Sequence, residues 1–197
     1  MVALTDVLPN APTTTTDALA LFDSRPPVEP DFMIGTWHGL ELPTNHPLDG
    51  MLAASGWWGK AFIDSETVHP LLFRTHDGTA LWALNPALAF GGLGLVTKIP
   101  ALKRQNFGGT IAALKPALQA RGPKARLRTT RYRGADTATM IYDQLPINDV
   151  FRRLDNDLDN DLENDLENDT VVGAMDLRGI RAPYFFVLQR DDSLPLV

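Results

Sequence analysis

The amino-acid sequence predicts a mainly β protein, built as a single antiparallel β-barrel of about 8–10 strands with one or two short helices. Short apolar or alternating segments follow one another with tight turns between them, a pattern typical of a closed antiparallel sheet. Residues 35–39, Gly-Thr-Trp-His-Gly, open the first strand. One large ring between two glycines suits the narrow end of a small barrel. The 197 residues, 44% of them hydrophobic, suffice for one domain with an ordinary core.

The first part of the chain, residues 1–30, is predicted to be an N-terminal extension with a short helix over 18–22. Thr16 or Asp17 is the expected helix cap, and the prolines of 25–30 favour an extended linker. Residues 31–98 are predicted to form the first half of the barrel, with strands over 32–40, 55–63, 69–74 and 79–84. The His-Asp-Gly sequence at 76–78 predicts a tight turn between the last two of these strands.

The later part of the chain begins with a basic linker over residues 99–123, where a helix is predicted over 110–120 and shortened by Pro116. Residues 124–197 are predicted to form the second half of the barrel, with strands over 125–132, 137–143, 146–154, 171–176 and 183–190. Apolar residues alternate with arginines along 125–132, which indicates a half-buried strand.

Charge is divided sharply along the chain, although the net charge is only −6. Residues 155–169 hold eight acids and no base, whereas residues 98–133 hold ten bases and no acid. The acids belong to a four-residue unit, Leu-Asp-Asn-Asp or Leu-Glu-Asn-Asp, repeated over 154–169. A calcium loop needs Gly at its sixth position and Glu at its twelfth, where this tract has Asn160 and Leu166. We therefore expect a solvated insertion at a hairpin tip.

Several functional classes lack their sequence signals. Cysteine is absent, which excludes disulfides, thiolate zinc sites and cysteine nucleophiles. No apolar run reaches the ~18 residues of a membrane span, and the N-terminus does not read as a signal peptide, so we expect a cytoplasmic protein that does not enter membranes. Phosphate-loop, dinucleotide and Gly-x-Ser-x-Gly motifs are missing. The four scattered histidines predict no metal site and no cofactor, although they do not exclude haem. The oligomeric state stays open.

The motifs at 35–39, 46–50, 56–60 and 85–88 together resemble the GXWXG domain family. Residues 138–149 and 175–179 resemble the domain of unknown function that usually follows it. More distantly, the Gly-x-Trp start is similar to that of the calycins, the lipocalin-like barrels. That resemblance implies a late-chain arginine stacked on Trp37, with Arg190 the first candidate and Arg181 the second. The family pattern has one acidic unit where this chain has four.

The leading hypothesis is a protein that binds a small apolar or amphipathic molecule in a barrel cavity. The expected ligand-binding residues are His46, Trp57, Trp58, Tyr142 and Asp143. Adjacent strand residues point to opposite faces, so one of the two tryptophans should face the interior. Tyr142 and Asp143 are either polar groups at a pocket mouth or the end of a strand.

Two alternatives remain open from the sequence. His46 and Asp49 would make an enzyme of the same barrel if they act as an acid–base pair. Arg126, Arg128 and Arg131 would instead make it a nucleic-acid or protein interaction module. The basic segment has few aromatic residues, which does not favour nucleic acid.

Overall fold

The computed structural model describes residues 3–91, 108–154 and 169–197. The described strands are β1 (Gly35–Glu41), β2 (Trp57–Phe62), β3 (Val68–Arg74), β4 (Leu81–Ala83), β5 (Ala125–Tyr132), β6 (Ala135–Tyr142), β7 (Ile147–Arg153), β8 (Thr170–Leu177) and β9 (Tyr184–Arg190). The described helices are α1 (Leu4–Val7), α2 (Thr15–Ser24), α3 (Met51–Ser55), α4 (Pro86–Gly91), α5 (Gly108–Ala113) and α6 (Lys115–Leu118), with a 3-10 helix over Pro30–Met33. The predicted acidic insertion and the start of the basic segment fall largely outside the described residues.

Eight of the strands close into an antiparallel barrel, as the sequence predicted. The ring runs β1, β2, β3, β5, β6, β7, β8, β9 and back to β1, and β4 pairs with β3 outside it. β5 and β6 are paired over their whole length. The joint between β3 and β5, by contrast, has a single residue pair, Val68 with Ala125. The ring is therefore closed, with one narrow joint.

One end of the barrel is closed by Trp37 and Arg190. The two residues are paired across β1 and β9, and the guanidinium carbon lies 4.5 Å from the indole ring centre. Arg190 donates hydrogen bonds to the carbonyls of Ile34 (2.5 Å) and Phe32 (2.7 Å). The indole N–H of Trp37 donates to the Met33 carbonyl at 2.8 Å. The expected stack is thus present, and the first of the two candidate arginines supplies it.

The two glycines of the first strand make room for side chains that cross them. A Cβ on Gly35 would overlap the Arg190 guanidinium, and a Cβ on Gly39 would overlap the Trp57 indole. Any larger residue would push one of these groups aside. The Gly-x-Trp-x-Gly motif therefore allows the base of the barrel to close and leaves space for the ring of a second tryptophan, Trp57.

The centre of the barrel is filled by aromatic rings. Trp57 and Phe186 have ring centres 6.0 Å apart, Phe186 and Phe151 6.3 Å, and Phe151 and Phe62 5.8 Å, all near edge-to-face. Edge-to-face pairs at these separations are favourable beyond the area they bury. Outside the ring, α2 packs Ala18 and Phe22 onto a second apolar cluster that covers β8 and β9.

The helices differ from the prediction in detail. Helix α2 is capped by Thr14, whose hydroxyl accepts from the Asp17 N–H, and not by Thr16 or Asp17. The start predicted for the first strand is a 3-10 helix with Pro30 in its first turn. The interruption expected at Pro116 is present, since α5 ends at Ala113 and α6 begins at Lys115.

Candidate functional site

A pocket of about 570 Å³ lies beside β1 and the start of β2, with α3 along one side. Its volume is in the range of small-molecule sites. The lining residues come from β1, α3, β2, the end of β3 and the residue after β9: His38, Gly39, Leu40, Glu41, Leu52, Ala53, Gly56, Trp57, Trp58, Arg74 and Asp191. Two of the five residues expected to bind a ligand, Trp57 and Trp58, are among them.

The two tryptophans face opposite sides of the barrel wall. Trp57 belongs to the main core and packs on Gly39, while Trp58 belongs to an outer cluster with Leu72 and Leu81. On that outer side the ring of Trp58 is 5.2 Å from the His38 ring, edge-on. Two large rings on adjacent residues thus form an apolar wall that continues from the core to the surface.

Glu41 holds α3 in place along this wall. Its carboxylate accepts hydrogen bonds from the backbone N–H groups of Gly50, Leu52 (3.1 Å) and Ala53 (3.3 Å). The first N–H groups of a helix have no partner within the helix, and a carboxylate is the preferred acceptor there. The short helix is therefore anchored by a residue of β1, and the Glu41 carboxylate is occupied by these three hydrogen bonds.

The remaining polar groups of the pocket are His38, Arg74 and Asp191. Burial lowers the pKa of His38, while the nearby Asp191 carboxylate opposes that shift. Asp191 accepts from the backbone N–H of Ser193 (3.0 Å) and from its hydroxyl (2.5 Å). Arg74 is exposed, and its guanidinium makes no hydrogen bond or ion pair with the residues that the structure describes.

A buried cluster of ionisable residues lies on the inner side of Trp57. Lys60 Nζ is 2.7 Å from Asp149 Oδ2, and their side chains are 3% and 1% exposed. The same ammonium donates to the Pro70 carbonyl at 3.2 Å and lies 5.4 Å from the Trp57 ring centre. The Tyr142 ring centre lies 6.0 Å from the same ammonium. Burial raises the pKa of Asp149 against the opposing effect of Lys60, and burial followed by the Asp149 charge raises the pKa of Tyr142.

Lys60 and Asp149 were missed by the sequence interpretation. Lys60 is the single charge of β2, and Asp149 is the single charge of residues 147–151, the part of β7 that precedes Arg152 and Arg153. A lone charge in such a strand signals a buried partner. The sequence does not say which residue that partner is.

The side chains of His46 and Asp49 form hydrogen bonds with backbone groups in and next to the loop that contains them. His46 is 5% exposed, its Nδ1 accepts from the Leu48 N–H at 3.1 Å, and its Nε2 lies 3.2 Å from the Ala182 carbonyl. Asp49 accepts from the backbone N–H groups of Thr44 and His46. Neither residue lines the pocket, so this geometry gives the acid–base hypothesis no support.

Tyr142 and Asp143 are separated by the barrel wall. Tyr142 is buried, while Asp143 is 33% exposed and pairs with Arg126 at 2.9 Å. Arg128 and Arg131 likewise have carboxylate partners, so the basic face is neutralised locally. Those pairs are Arg128 with Glu66 (2.5 Å) and Arg131 with Asp136 (3.3 Å). This arrangement does not favour phosphate binding.

Within the described ranges, no three His, Asp or Glu side chains are placed to hold a metal ion. Across the same residues, every helix is too short or too polar to cross a bilayer.

A closed eight-stranded antiparallel barrel with a Trp–Arg stack at its base is a calycin-like β-barrel. The model of the family described as GXWXG protein matches residues 20–78, and that of Domain of unknown function (DUF4334) matches residues 123–158. The chain is therefore a GXWXG domain protein that carries this domain of unknown function in its C-terminal half.

A protein from Thermomonospora curvata with a crystal structure has a similar chain and fold. The two are 32% identical, the match covers 89% of this chain and 86% of the other, and the TM-score is 0.60. No curated protein matches the chain.

Proposed function

We propose that this protein binds a small amphipathic molecule in the pocket between β1, β2 and α3. The observation that carries the proposal is the pocket itself, about 570 Å³ in volume and walled by Trp57 and Trp58. Tryptophan offers a large apolar surface at little conformational cost, and a mixture of apolar walls with a few polar groups is characteristic of ligand sites.

The surrounding architecture supports the same role. The opposite side of Trp57 is packed against the ring-filled centre, so the wall is rigid before a ligand arrives. Glu41 fixes α3, which contributes Leu52 and Ala53 to the site. Binding to a preformed wall loses less entropy than binding to a flexible one.

The experiment is calorimetric titration of the full chain with two soluble amphipathic probes, 3-phenylpropanol and decanol, together with the carboxylates 3-phenylpropanoate and decanoate. Native mass spectrometry of the purified protein adds a search for a co-purified small molecule. Ala53 is an exposed pocket residue of α3, so Ala53→Trp should fill the pocket while leaving the fold intact. Ala117→Trp, at an exposed position of α6 outside the pocket lining, is the matched control.

We expect at least one probe to bind with a stoichiometry of one, and Ala53→Trp to weaken it at least ten-fold while Ala117→Trp does not. Equal binding by the two variants would place the ligand elsewhere and overturn the proposed site. A protein that binds none of the probes and carries no small molecule would overturn the function.

A further inference from the structure

The guanidinium of Arg74 differs from those of four other strand arginines in having no partner among the described residues. Arg126, Arg128 and Arg131 on β5 each pair with a carboxylate, at 2.9, 2.5 and 3.3 Å. Arg190 at the end of β9 is used by the barrel base and by Asp169. Arg74 ends β3 and lines the pocket, and its guanidinium makes no hydrogen bond or ion pair with any described residue.

The two acids of the pocket do not neutralise Arg74. The Glu41 carboxylate is occupied by the backbone N–H groups at the start of α3. Asp191 is turned to Ser193, from which it accepts two hydrogen bonds. A guanidinium has five donors in a planar fork that matches a carboxylate, so an unpaired one beside an apolar wall is suited to a ligand's anionic end.

Hydrogen-bond donors are also in excess on the wall. Trp57 and Trp58 each have a buried indole N–H that finds no acceptor in the described part of the chain. The carboxylates of Glu41 and Asp191 disfavour an anion close to them, so we place the ligand's charge beside Arg74.

We infer that the ligand is a monocarboxylate with an apolar body, held by a paired contact between its carboxylate and the Arg74 guanidinium, with the body on Trp57 and Trp58. This inference rests on the proposed function and specifies its ligand class. It also assigns opposite effects to Arg74 and Asp191, since Arg74 attracts the carboxylate and Asp191 repels it.

The test compares each carboxylate with the alcohol of the same carbon skeleton, 3-phenylpropanoate with 3-phenylpropanol and decanoate with decanol, by calorimetry at pH 7.5. The variants are Arg74→Gln, Arg74→Lys and Asp191→Asn. The matched control is Arg131→Gln, which removes an exposed arginine of β5. Asparagine at 191 keeps an oxygen acceptor for Ser193, and lysine at 74 keeps the charge without the fork.

We expect the wild-type chain and Arg131→Gln to prefer the carboxylate at least ten-fold. Arg74→Gln should reduce that preference to three-fold or less, Arg74→Lys should leave an intermediate preference, and Asp191→Asn should raise carboxylate affinity. Equal affinity for acid and alcohol in the wild-type chain would overturn the inference, as would a preference that survives Arg74→Gln. In both cases binding that remains sensitive to Ala53→Trp would leave the proposed function standing, whereas the absence of all binding overturns both.

Discussion

Lys60 and Asp149 place two charges inside the barrel with almost no exposure to water. Each charge loses several kcal/mol of hydration on burial, and the 2.7 Å contact returns part of it only while both partners are present. The Phe186 ring, 4.8 Å from the ammonium, and the Pro70 carbonyl give further compensation. The energetic consequence is a pair in which each residue depends strongly on the other.

Removing one member of this pair should therefore cost much more than removing both. We expect Lys60→Met alone and Asp149→Leu alone each to lower the free energy of unfolding by about 3–5 kcal/mol. The double variant combined with Tyr142→Phe, which removes the buried hydroxyl whose pKa the Asp149 charge raises, should return to within about 2 kcal/mol of the wild-type chain. Urea unfolding measures all three, and losses that simply add in the combined variant would contradict a coupled pair.

His69 is expected to make the free energy of unfolding depend on pH. Burial lowers its pKa below the ordinary value of 6.5, and its Nδ1 is buried without a partner among the described residues. Between the lowered pKa and 6.5 the unfolded chain binds more protons than the folded chain. The stability that neutral His69 contributes is therefore complete above pH 6.5 and is lost as the pH falls through the lowered pKa. His69→Gln should flatten the fall in unfolding free energy between about pH 7 and 5.

The control for this titration is His76→Gln, which removes an exposed imidazole from the turn after β3. Denaturant midpoints measured across the pH range would decide the matter. A pH slope that is as steep in His69→Gln as in the wild-type chain would show that His69 does not carry it.

Individual elements were predictable where local pattern alone defines them. β5 follows the predicted bounds because apolar and charged residues alternate along it. α3 was not predicted, because its five residues depend on Glu41, which belongs to a different element. The 3-10 helix at Pro30–Met33 was not predicted for a similar reason, since its Phe32 carbonyl accepts a hydrogen bond from Arg190, which is distant in sequence.

The hairpin of β7 and β8 predicts that the acidic repeat is dispensable for folding. The Leu154 N–H donates to the Thr170 carbonyl at 2.8 Å, so the two ends of the insertion are held together by the barrel itself. Asp169 contributes to the base by accepting from Arg190 at 3.1 Å. Deleting residues 155–166 retains one acidic unit and this aspartate.

We expect the deletion to leave the free energy of unfolding unchanged or to raise it by no more than about 2 kcal/mol, because loop-closure entropy depends only weakly on length. Chemical unfolding and near-ultraviolet circular dichroism would measure this. A shortened chain that loses its tertiary signal would assign the repeat a structural role that the hairpin geometry does not require.

At the scale of the whole molecule, the closed barrel could be predicted and the interior could not. Turn spacing and the Gly-x-Trp motif gave the closure, and the calycin resemblance gave Arg190. The pairing of Lys60 with Asp149 and the position of Arg74 beside Trp58 arise from the way the ring closes. Sequence neighbours carry no record of such contacts, which explains why the tryptophans of the pocket were found and its charged residues were not.

The integrity of the barrel base should depend on the shape of the Arg190 side chain as well as its charge. Arg190→Lys keeps the charge but cannot bond Phe32, Ile34 and Asp169 at once. We expect it to lower the free energy of unfolding by about 1–3 kcal/mol and to shift the fluorescence of Trp37. Arg178→Lys, at an exposed turn after β8, is the control, and an equally small effect at both positions would contradict this role.

The single residue pair between β3 and β5 makes this joint the place where the sheet should open most readily. The other neighbouring strands of the ring are joined by longer ladders of paired residues. Here the two strands are joined only by the pair Val68 and Ala125 and by a few flanking hydrogen bonds, such as that from the Lys124 N–H to the Val68 carbonyl at 3.1 Å. Fluctuations that part the sheet need the least energy along this line. The backbone amides at the β3–β5 joint should therefore exchange with deuterium faster than those of the neighbouring ladders, because the barrel opens first where these two strands meet.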